Sequence, residues 1–476
     1  MGMVVDSFLN YNALKIVTSK LTITIAYISS TNLNQMQPKK ILFANVPADG
    51  HFNPLTGIAV HLKSLGHDVR WYTQDIYKPK IEKLGIQHYP FVKHPQLNAE
   101  NFQNAFAERE QAKSQIAKLK FDLEHLFIRR SPEVLEDLEA IHKEFPFELL
   151  IADILFLAMP LVKARLKIPV IAAGIVPVTE SSKDLPPSGM GLTPDKKPFS
   201  GIKNSLIRFT ANQLIFKKPE KIYRQVLKEY GVEAPAGNLF DIINRSVDMI
   251  WQSGTPGFEF ERSDWNPRLK FVGPLLPYSV QQRTLYSIIK TRRYDKVVLV
   301  TQGTAEKDHE KILVPTLEAF KNSNTLVIVT TGRNGTAELR ARYPQENFLI
   351  EDFIPFNDVM PLCNVYITNG GYGGVLLGIE NKLPMVVAGV HEGKNEICAR
   401  VGFFKLGINL KTEKPDPAAI RKAVETITTD KSYKRNVINL AKEFGQYNTF
   451  SLVEKYLEEI FSEKEIGSRI IEDRRA

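Results

Sequence analysis

Cysteine is scarce in this sequence: its 476 residues include two, Cys363 and Cys398. Two cysteines cannot build a disulfide framework, and no C-x-x-C pair is present to hold zinc. A chain without a disulfide framework is typical of a reducing compartment, so we expect a cytoplasmic protein.

Long apolar runs are also lacking. No window approaches the roughly 20 apolar residues of a membrane-spanning helix, so we expect no stable membrane insertion. We also find no amphipathic patch that predicts docking on a membrane. Residues 21–28 (LTITIAYI) follow Lys15 and Lys20 as in a signal peptide, but the run is short and lacks a small-residue cleavage site. We therefore interpret residues 1–36 as an N-terminal extension, with export as the alternative.

Several motifs of cofactor and metal chemistry are missing. There is no P-loop, no H-E-x-x-H, no D-x-D that would clamp a metal-bound nucleotide diphosphate, and no full G-x-G-x-x-G after the first predicted strand. We predict no cofactor and no metal site. The charge of +9 is scattered along the chain, which favours an anionic small ligand over a nucleic-acid partner.

The pattern that is present alternates strands and helices. Residues 41–46 (ILFANV) predict a strand and residues 47–51 (PADGH) a loop. A helix is expected to start near Pro54 and to end at Gly66, before a strand at residues 69–72. This βαβ unit predicts a parallel sheet with helices on its faces.

The same alternation recurs further along the chain. Residues 149–152 and 169–173 predict strands around a helix at residues 155–164. Residues 100–143 predict a charged helical insertion that covers the sheet, and residues 179–197 a long loop that faces a substrate.

A second alternation follows residues 271–277 (FVGPLLP). Its predicted strands are 297–301, 325–330, 347–350, 365–368, 385–387 and 407–410. A helix is predicted at residues 312–320, and mainly helical structure at 417–461. The length and these two series predict an α/β protein of two doubly wound, Rossmann-like domains facing a shared cleft, the expected ligand site.

A glycine-rich turn directly follows the strand at residues 365–368. The string NGGYGG, residues 369–374, opens a helix, and amides at a helix N-terminus attract phosphate. A tight turn whose glycines serve only packing is an equal alternative on this pattern alone.

The string from residue 347 to residue 401 resembles the donor-sugar signature of family 1 (UDP-glycosyltransferase-like) glycosyltransferases, in particular the bacterial natural-product and macrolide type with the GT-B fold. The first βαβ unit and FVGPLLP resemble the same family. The resemblance spans residues 39–461. It implies an acceptor-binding domain at 37–275, a nucleotide-sugar-binding domain at 276–450 and a C-terminal helix at 451–476 that packs back on the N-terminal domain.

The resemblance also implies a catalytic pair. His51 corresponds to the family's general base, because an imidazole can take a proton from a sugar-accepting hydroxyl near neutral pH. Asp153 corresponds to the carboxylate that orients this histidine. From the residues alone, a capping or core histidine is the favoured interpretation of His51, and Asp153 could also serve as a helix N-cap.

For the remaining site residues the resemblance implies donor or acceptor contacts. Phe353 falls where an aromatic side chain stacks on the nucleotide base. The expected donor-binding residues are Gln302, Gly303, Thr304, Thr331, Phe353, Ile354, Asn369, Gly370, Gly371, Gly373, Gly374, His391, Glu392 and Lys394. The expected acceptor-binding residues are Phe52, Phe156, Val176 and Val178.

Three positions depart from the family pattern. Asn369 replaces a histidine that contacts phosphate, and Leu377 replaces a glutamate that binds the ribose hydroxyls. The Asp-Gln pair that holds the donor sugar aligns with Gly393 and Lys394, which leaves the sugar open.

The resemblance implies an inverting, metal-independent hexosyltransferase. We expect it to move a sugar from a nucleotide diphosphate sugar, with UDP as the expected nucleotide, to a hydroxyl of a hydrophobic small molecule such as a flavonoid, terpenoid or polyketide. The alternative is a catalytically weak GT-B partner, activator or nucleotide-sugar-binding protein. The sequence leaves the oligomeric state open.

Overall fold

A computed structural model describes residues 37–96, 106–111, 114–195, 200–279, 293–303, 306–391 and 393–473. The predicted N-terminal extension, residues 1–36, lies outside the described residues. Both sheets described below belong to one packed unit, Lys40–Ala476.

The first sheet has seven parallel strands in the order β3-β2-β1-β4-β5-β6-β7. Its strands are β1 Lys40–Ala44, β2 Asp68–Tyr72, β3 Gln87–Tyr89, β4 Leu149–Asp153, β5 Val170–Gly174, β6 Met249–Ser253 and β7 Leu269–Gly273. Every residue of β4, β5 and β6 is buried. Strands buried on both faces are typical of a parallel sheet covered by helices.

The helices of this half connect its strands. They are Asp49–Ser64, Lys78–Lys83, Ala107–Glu110, Gln115–Phe121, Ser131–Glu144, Met159–Leu166, Ser200–Ala211, Lys217–Glu229 and Leu239–Ser246. Two π-helical segments, Asp122–Ile128 and Asn212–Phe216, continue the helices that precede them.

The second sheet has six parallel strands in the order β10-β9-β8-β11-β12-β13. They are β8 Lys296–Thr301, β9 Thr325–Thr330, β10 Phe348–Glu351, β11 Val365–Thr368, β12 Met385–Val387 and β13 Gly407–Asn409. Along β8, Val297 and Leu299 belong to one apolar cluster and Val298 and Val300 to another. Because successive side chains of a strand point to opposite faces, the sheet has a core on each side.

The helices of the second half cover these two faces and then return to the first half. They are Leu313–Phe320, Thr336–Arg342, Phe356–Val359, Tyr372–Glu380, Lys394–Phe403, Pro417–Thr429, Lys431–Phe444 and Thr449–Asp473. The helix Thr449–Asp473 contacts the first half, where Glu454 Oε1 lies 2.7 Å from Nε2 of His61.

The architecture has the two doubly wound parallel sheets that the sequence predicts, but the first helix starts earlier than expected. It begins at Asp49, and the amides of His51 and Phe52 donate to the carbonyl of Ala48. The predicted loop at residues 47–51 is therefore partly the first helical turn, and Pro54 lies inside the helix. Ala48 gives no side-chain capping signal, which explains the wrong boundary.

The predicted helix at residues 155–164 also differs, since the observed helix is Met159–Leu166. No helix within the described part of the chain combines the length and the apolar character needed to cross a membrane.

Candidate active site

Two strand ends bring His51 and Asp153 together. β1 and β4 are adjacent and parallel, with Ala44 opposite Ala152, so their carboxyl ends lie at one edge of the sheet. Asp153 is the last residue of β4, and His51 lies in the first turn of the helix after β1. Nδ1 of His51 lies 2.9 Å from Oδ1 of Asp153.

Asp153 is held from three sides. Its Oδ2 accepts from the amide of Val46 at 2.6 Å, and its Oδ1 also accepts from the amide of Leu155 at 2.9 Å. The next helix begins at Met159, so Asp153 is not the N-cap of that helix. Because a carboxylate can only accept, the proton between the pair belongs on Nδ1 of His51, and Nε2 keeps a lone pair.

The side chain of His51 is 19% exposed, whereas that of Asp153 is fully buried. The imidazole can therefore meet a ligand while the carboxylate that orients it stays out of water. This arrangement can accept a proton from a bound hydroxyl and stabilise the imidazolium that forms.

A cavity of about 190 Å³ lies at the same edge of the sheet. Its wall is formed mainly by apolar side chains from the segments after β1 and β4 and from the insertion. The lining residues are Asn45, Val46, Pro47, Gln74, Phe91, His94, Leu126, Phe127, Arg130, Ser131, Val134, Leu155, Phe156, Leu157 and Ala158. Val46 belongs to the wall and also donates its amide to Asp153, so the cavity adjoins the His51–Asp153 pair.

Two polar side chains in this wall are notable. Burial lowers the pKa of His94 to about 4, although the Pro95 carbonyl opposes this, so its imidazole is neutral at pH 7. Gln74 is 4% exposed, and its side-chain N–H group has no hydrogen-bond partner among the described residues. A buried donor without a partner is costly, which favours a ligand acceptor at this point of the cavity.

A glycine turn lies at the carboxyl edge of the second sheet. Gly370 follows β11 with φ of +82°, where a side chain would be strained and its Cβ would collide with Sγ of Cys398. Gly371 is the N-cap of the helix Tyr372–Glu380, and no side chain caps this end.

The first amides of that helix have no intrahelical acceptors. A Cβ built on Gly373 would meet no described atom within 4 Å, so the space beside this turn is open. Free amides and the positive end of the helix dipole together suit a phosphate group.

Asn369 joins this turn to the neighbouring strand β8. Its Oδ1 accepts from the amide of Gly371 at 3.3 Å, and its Nδ2 donates to the carbonyl of Gln302. One N–H of the amide group is therefore engaged within the chain, and the other is left for a ligand.

A carboxylate supports the loop after β12. Oε1 of Glu413 accepts from the amides of Val390 and His391 at 2.6 and 3.1 Å. Burial would raise the pKa of Glu413, but these bonds and the charges of Lys311 and Lys394 outweigh it and hold the pKa below its usual value.

The chain is similar to several known proteins. Residues 316–460 match the family model described as the C-terminal domain of erythromycin biosynthesis protein CIII-like proteins. The 4'-demethylrebeccamycin synthase of Lentzea aerocolonigenes is 29% identical over 85% of this chain and 96% of its own length. UDP-glucosyltransferase 1 of Beauveria bassiana is 27% identical over 89% of this chain and 96% of its own.

Solved structures show the same fold. The calicheamicin glycosyltransferase CalG4 superposes with a TM-score of 0.70 at 19% identity, covering 90% of this chain and 99% of its own. The chain is similar to the family 1 glycosyltransferases and has the GT-B fold. It is a nucleotide-sugar-dependent enzyme related to the bacterial natural-product glycosyltransferases.

The predicted acceptor residues of this glycosyltransferase differ in their placement. Phe156 lines the cavity, whereas Phe52 packs against Trp71 and Tyr77 and is 2% exposed. The ring of Phe52 therefore packs in the core beneath the first helix, and its contact with an acceptor stays a prediction without support from its exposure.

Val176 and Val178 lie in the segment after β5, outside the wall of the cavity. The carbonyl of Val176 accepts from Gln252, and the amide of Val178 donates to Oε1 of Glu259. Val178 is buried, so its side chain helps to pack this segment.

The predicted donor residues of the glycosyltransferase follow several strands of the second sheet. Gln302 and Gly303 follow β8 and adjoin Asn369, while Gly374 lies in the first turn of the helix after β11. His391 and Lys394 lie in and after the loop that Glu413 holds. Thr304 and Glu392 lie outside the described residues.

Phe353 and Thr331 were both expected to contact the donor. Phe353 is 54% exposed, with the guanidinium carbon of Arg333 5.1 Å from its ring centre, so its ring is available for stacking. The hydroxyl of Thr331 is instead buried against the hydroxyl of Thr336. Ile354 packs in the core of the second half, and its contact with the donor stays a prediction.

Sequence reasoning missed the polar cavity residues and the support from Glu413. Gln74 closely follows β2, the neighbour of β1, so the rule that strand ends meet at one edge could have indicated it. Glu413 lies far along the chain from the loop that it holds, and no local pattern indicates that contact. Within the described ranges, no group of three or more His, Cys, Asp or Glu side chains is placed to hold a metal ion.

Proposed function

We propose that this glycosyltransferase is an inverting, metal-independent hexosyltransferase. It transfers a sugar from a nucleotide diphosphate sugar, with UDP as the expected nucleotide, to a hydroxyl of a hydrophobic small molecule such as a flavonoid, terpenoid or polyketide. The observation that carries the proposal is the partly exposed imidazole of His51, held by the buried Asp153 beside an apolar cavity.

On the acceptor side, His51 acts as the general base. Nε2 takes the proton from the attacking hydroxyl, and Asp153 stabilises the imidazolium that results. The apolar wall around Phe156 holds the body of the acceptor, and the amide of Gln74 supplies one hydrogen bond to an acceptor oxygen.

On the donor side, the amides at the start of the helix Tyr372–Glu380 bind the diphosphate. Negative charge grows on the leaving phosphate as the glycosidic bond breaks, and aligned amides stabilise that charge in the transition state. Phe353 stacks on the nucleotide base. Attack from the face opposite the leaving group inverts the anomeric centre.

The expected donor and acceptor classes draw on the relatives. Two are named UDP-glucosyltransferases, and another is a 4'-demethylrebeccamycin synthase. We propose that residues 37–275 bind the acceptor and residues 276–450 bind the donor, with the helix at 451–476 packed on the N-terminal domain.

Replacement of His51 by Ala tests the mechanism. We expect turnover to fall at least ~100-fold, with the affinity for the nucleotide diphosphate unchanged, because the base is lost and the donor site is not altered. His61→Ala, on the same helix, is the matched control and should retain turnover.

Three further measurements test the rest of the proposal. Mass spectrometry of the products identifies the sugar and the acceptor, and NMR gives the anomeric configuration of the product. Activity in the presence of EDTA tests metal independence. Full turnover by His51→Ala would refute the assignment of the base.

A catalytically weak partner, activator or nucleotide-sugar-binding protein is the second candidate. It is favoured by the hydrogen bond from Nδ2 of Asn369 to the carbonyl of Gln302. This bond leaves only one N–H of an uncharged side chain to bind phosphate. Nucleotide binding without product from any donor and acceptor in the same assay would support it.

A further inference from the structure

Six large apolar side chains are exposed together on the N-terminal half. They lie on the helix Gln115–Phe121, on the helix Ser200–Ala211 and on the π-helical segment that follows the second of these helices. We call the following residues the apolar patch: Ile116, Leu119, Ile202, Leu206, Phe209 and Leu214, which are 44–70% exposed.

The apolar patch has the geometry of one helix face supported by a neighbour. Ile202, Leu206 and Phe209 are spaced i, i+4 and i+7, so they point the same way from their helix. The helix Gln115–Phe121, which carries Ile116 and Leu119, packs against the π-helical segment Asn212–Phe216, which carries Leu214 and continues the helix Ser200–Ala211. Clustered exposed apolar groups, unlike scattered ones, mark an interaction surface.

The two segments that carry the apolar patch are basic. Residues 115–121 and 200–216 contain Lys118, Lys120, Lys203 and Arg208, and they contain no acidic residue. Arg208 is anchored by donating to carbonyl groups, among them that of Ser182, so its charge is fixed in place.

We propose that the apolar patch docks this protein on the surface of an anionic lipid bilayer. A helix with exposed aliphatic and aromatic side chains on one face and lysines beside them binds at the lipid interface through apolar burial and through attraction to anionic headgroups. The proposal does not depend on the proposed function.

A second copy of the chain fits the apolar patch less well. In an isologous dimer the same surface meets itself, so the basic residues of one copy would face those of the other. Anionic headgroups would instead neutralise them.

The sequence predicted no docking patch, because the residues of the apolar patch come from two segments more than 80 positions apart.

The apolar patch lies close to the cavity at the candidate active site. The helix Gln115–Phe121 continues directly into the π-helical segment Asp122–Ile128, whose Leu126 and Phe127 line the cavity. Leu126 is seven residues beyond Leu119, which is roughly 10 Å along a helix. Docking therefore brings one wall of the cavity close to the lipid.

Sedimentation of the full-length protein with vesicles tests this proposal. We expect binding to vesicles of phosphatidylcholine mixed with phosphatidylglycerol, weaker binding to phosphatidylcholine alone, and weakening by high salt. The triple variant Ile202→Ser, Leu206→Ser, Phe209→Ser should lower the partition coefficient at least ~10-fold without changing the melting temperature. The matched control is Ile76→Ser, Val92→Ser, which removes two exposed apolar side chains elsewhere.

Each other outcome overturns the proposal. Failure of the wild type to bind anionic vesicles refutes lipid docking. Equal binding by the triple variant assigns the interaction to another part of the chain. A wild-type dimer in light scattering that the triple variant converts to a monomer, without vesicle binding, assigns the apolar patch to self-association.

Discussion

Arg400 and Glu259 form an ion pair that is buried on both sides. Nη2 of Arg400 lies 2.8 Å from Oε2 of Glu259, and their side chains are 3% and 2% exposed. Glu259 belongs to the segment after β6 of the first sheet, whereas Arg400 lies on the helix Lys394–Phe403 of the second half. The ion pair therefore ties the two halves together at a point from which water is excluded.

A second carboxylate extends this connection to a loop. Glu396 pairs with Nη1 of Arg400 at 2.9 Å through Oε2, and its Oε1 accepts from the amides of Gly189 and Gly191. These glycines lie in the long segment after β5, which the sequence predicts to face a substrate. The helix Lys394–Phe403 of the second half therefore helps to hold a loop of the first half.

Replacement of Arg400 by Met should strongly destabilise the protein. It leaves Glu259 and Glu396 buried without their cation, and removing one partner of a buried pair costs about 3–5 kcal/mol of the free energy of unfolding. Denaturant unfolding measures this cost. The control is Arg342→Met, which breaks the exposed pair with Glu310 and should cost about 0–1 kcal/mol. Equal stability of the two variants would contradict the role of the buried pair.

Much of the second sheet could be predicted from the sequence. The bounds of β9, β11 and β12 agree with the predicted strands, because strands buried on both faces are nearly continuous apolar runs. β6 and β7 were missed, since MIWQS and LKFVG carry polar residues that weaken the apolar pattern.

The candidate active site could also be predicted from the sequence only in part. His51 and Asp153 could be placed at one edge because each closely follows a strand, and the topology of parallel sheets brings such residues together. The contact of Arg130 with the cavity and the bond from Glu413 to the loop after β12 depend on how distant segments pack. No periodicity or spacing in the sequence encodes those contacts.

Replacement of Asp153 by Asn should impair turnover more than binding. Asn has one acceptor oxygen for three donors and no charge to stabilise the imidazolium, so we expect kcat to fall at least ~100-fold with nucleotide affinity unchanged. Asp248→Asn is the matched control, because Asp248 accepts from the amide of Val170, the first residue of β5, at the other end of the sheet. Steady-state kinetics and nucleotide titration make the measurement. A loss of kcat in both variants would indicate a structural effect.

Replacement of Gly373 by Val should weaken binding of a nucleotide diphosphate. The new side chain would occupy the open space beside the first turn of the helix Tyr372–Glu380 and exclude the phosphates, so we expect at least a ~10-fold rise in Kd. Gly402→Val is the control, since a Cβ there meets Asn409 only at ordinary contact distance and the residue also lies within a helix. Calorimetry measures both affinities. Unchanged binding by Gly373→Val would move the phosphate site elsewhere.

The stabilisation that Glu413 provides should depend on pH. Its pKa lies below the ordinary value of 4.5 because the amides of Val390 and His391 and the charge of Lys311, despite burial, favour the carboxylate. A group whose pKa is lowered by folding contributes stability above its unfolded pKa, and this stability is lost as the pH falls through the folded value.

Glu413→Gln therefore gives a test with a defined sign. We expect the wild type to be more stable than the variant by a constant amount well above the ordinary pKa of 4.5. We expect this difference to shrink as the pH falls from there through the lowered pKa of the folded state, because the wild-type carboxyl then becomes neutral as well. Denaturant unfolding at a series of pH values measures the difference. A difference that stays constant down to about pH 3 would show that Glu413 stabilises the loop without its charge, and Glu413→Ala would then separate hydrogen bonding from packing.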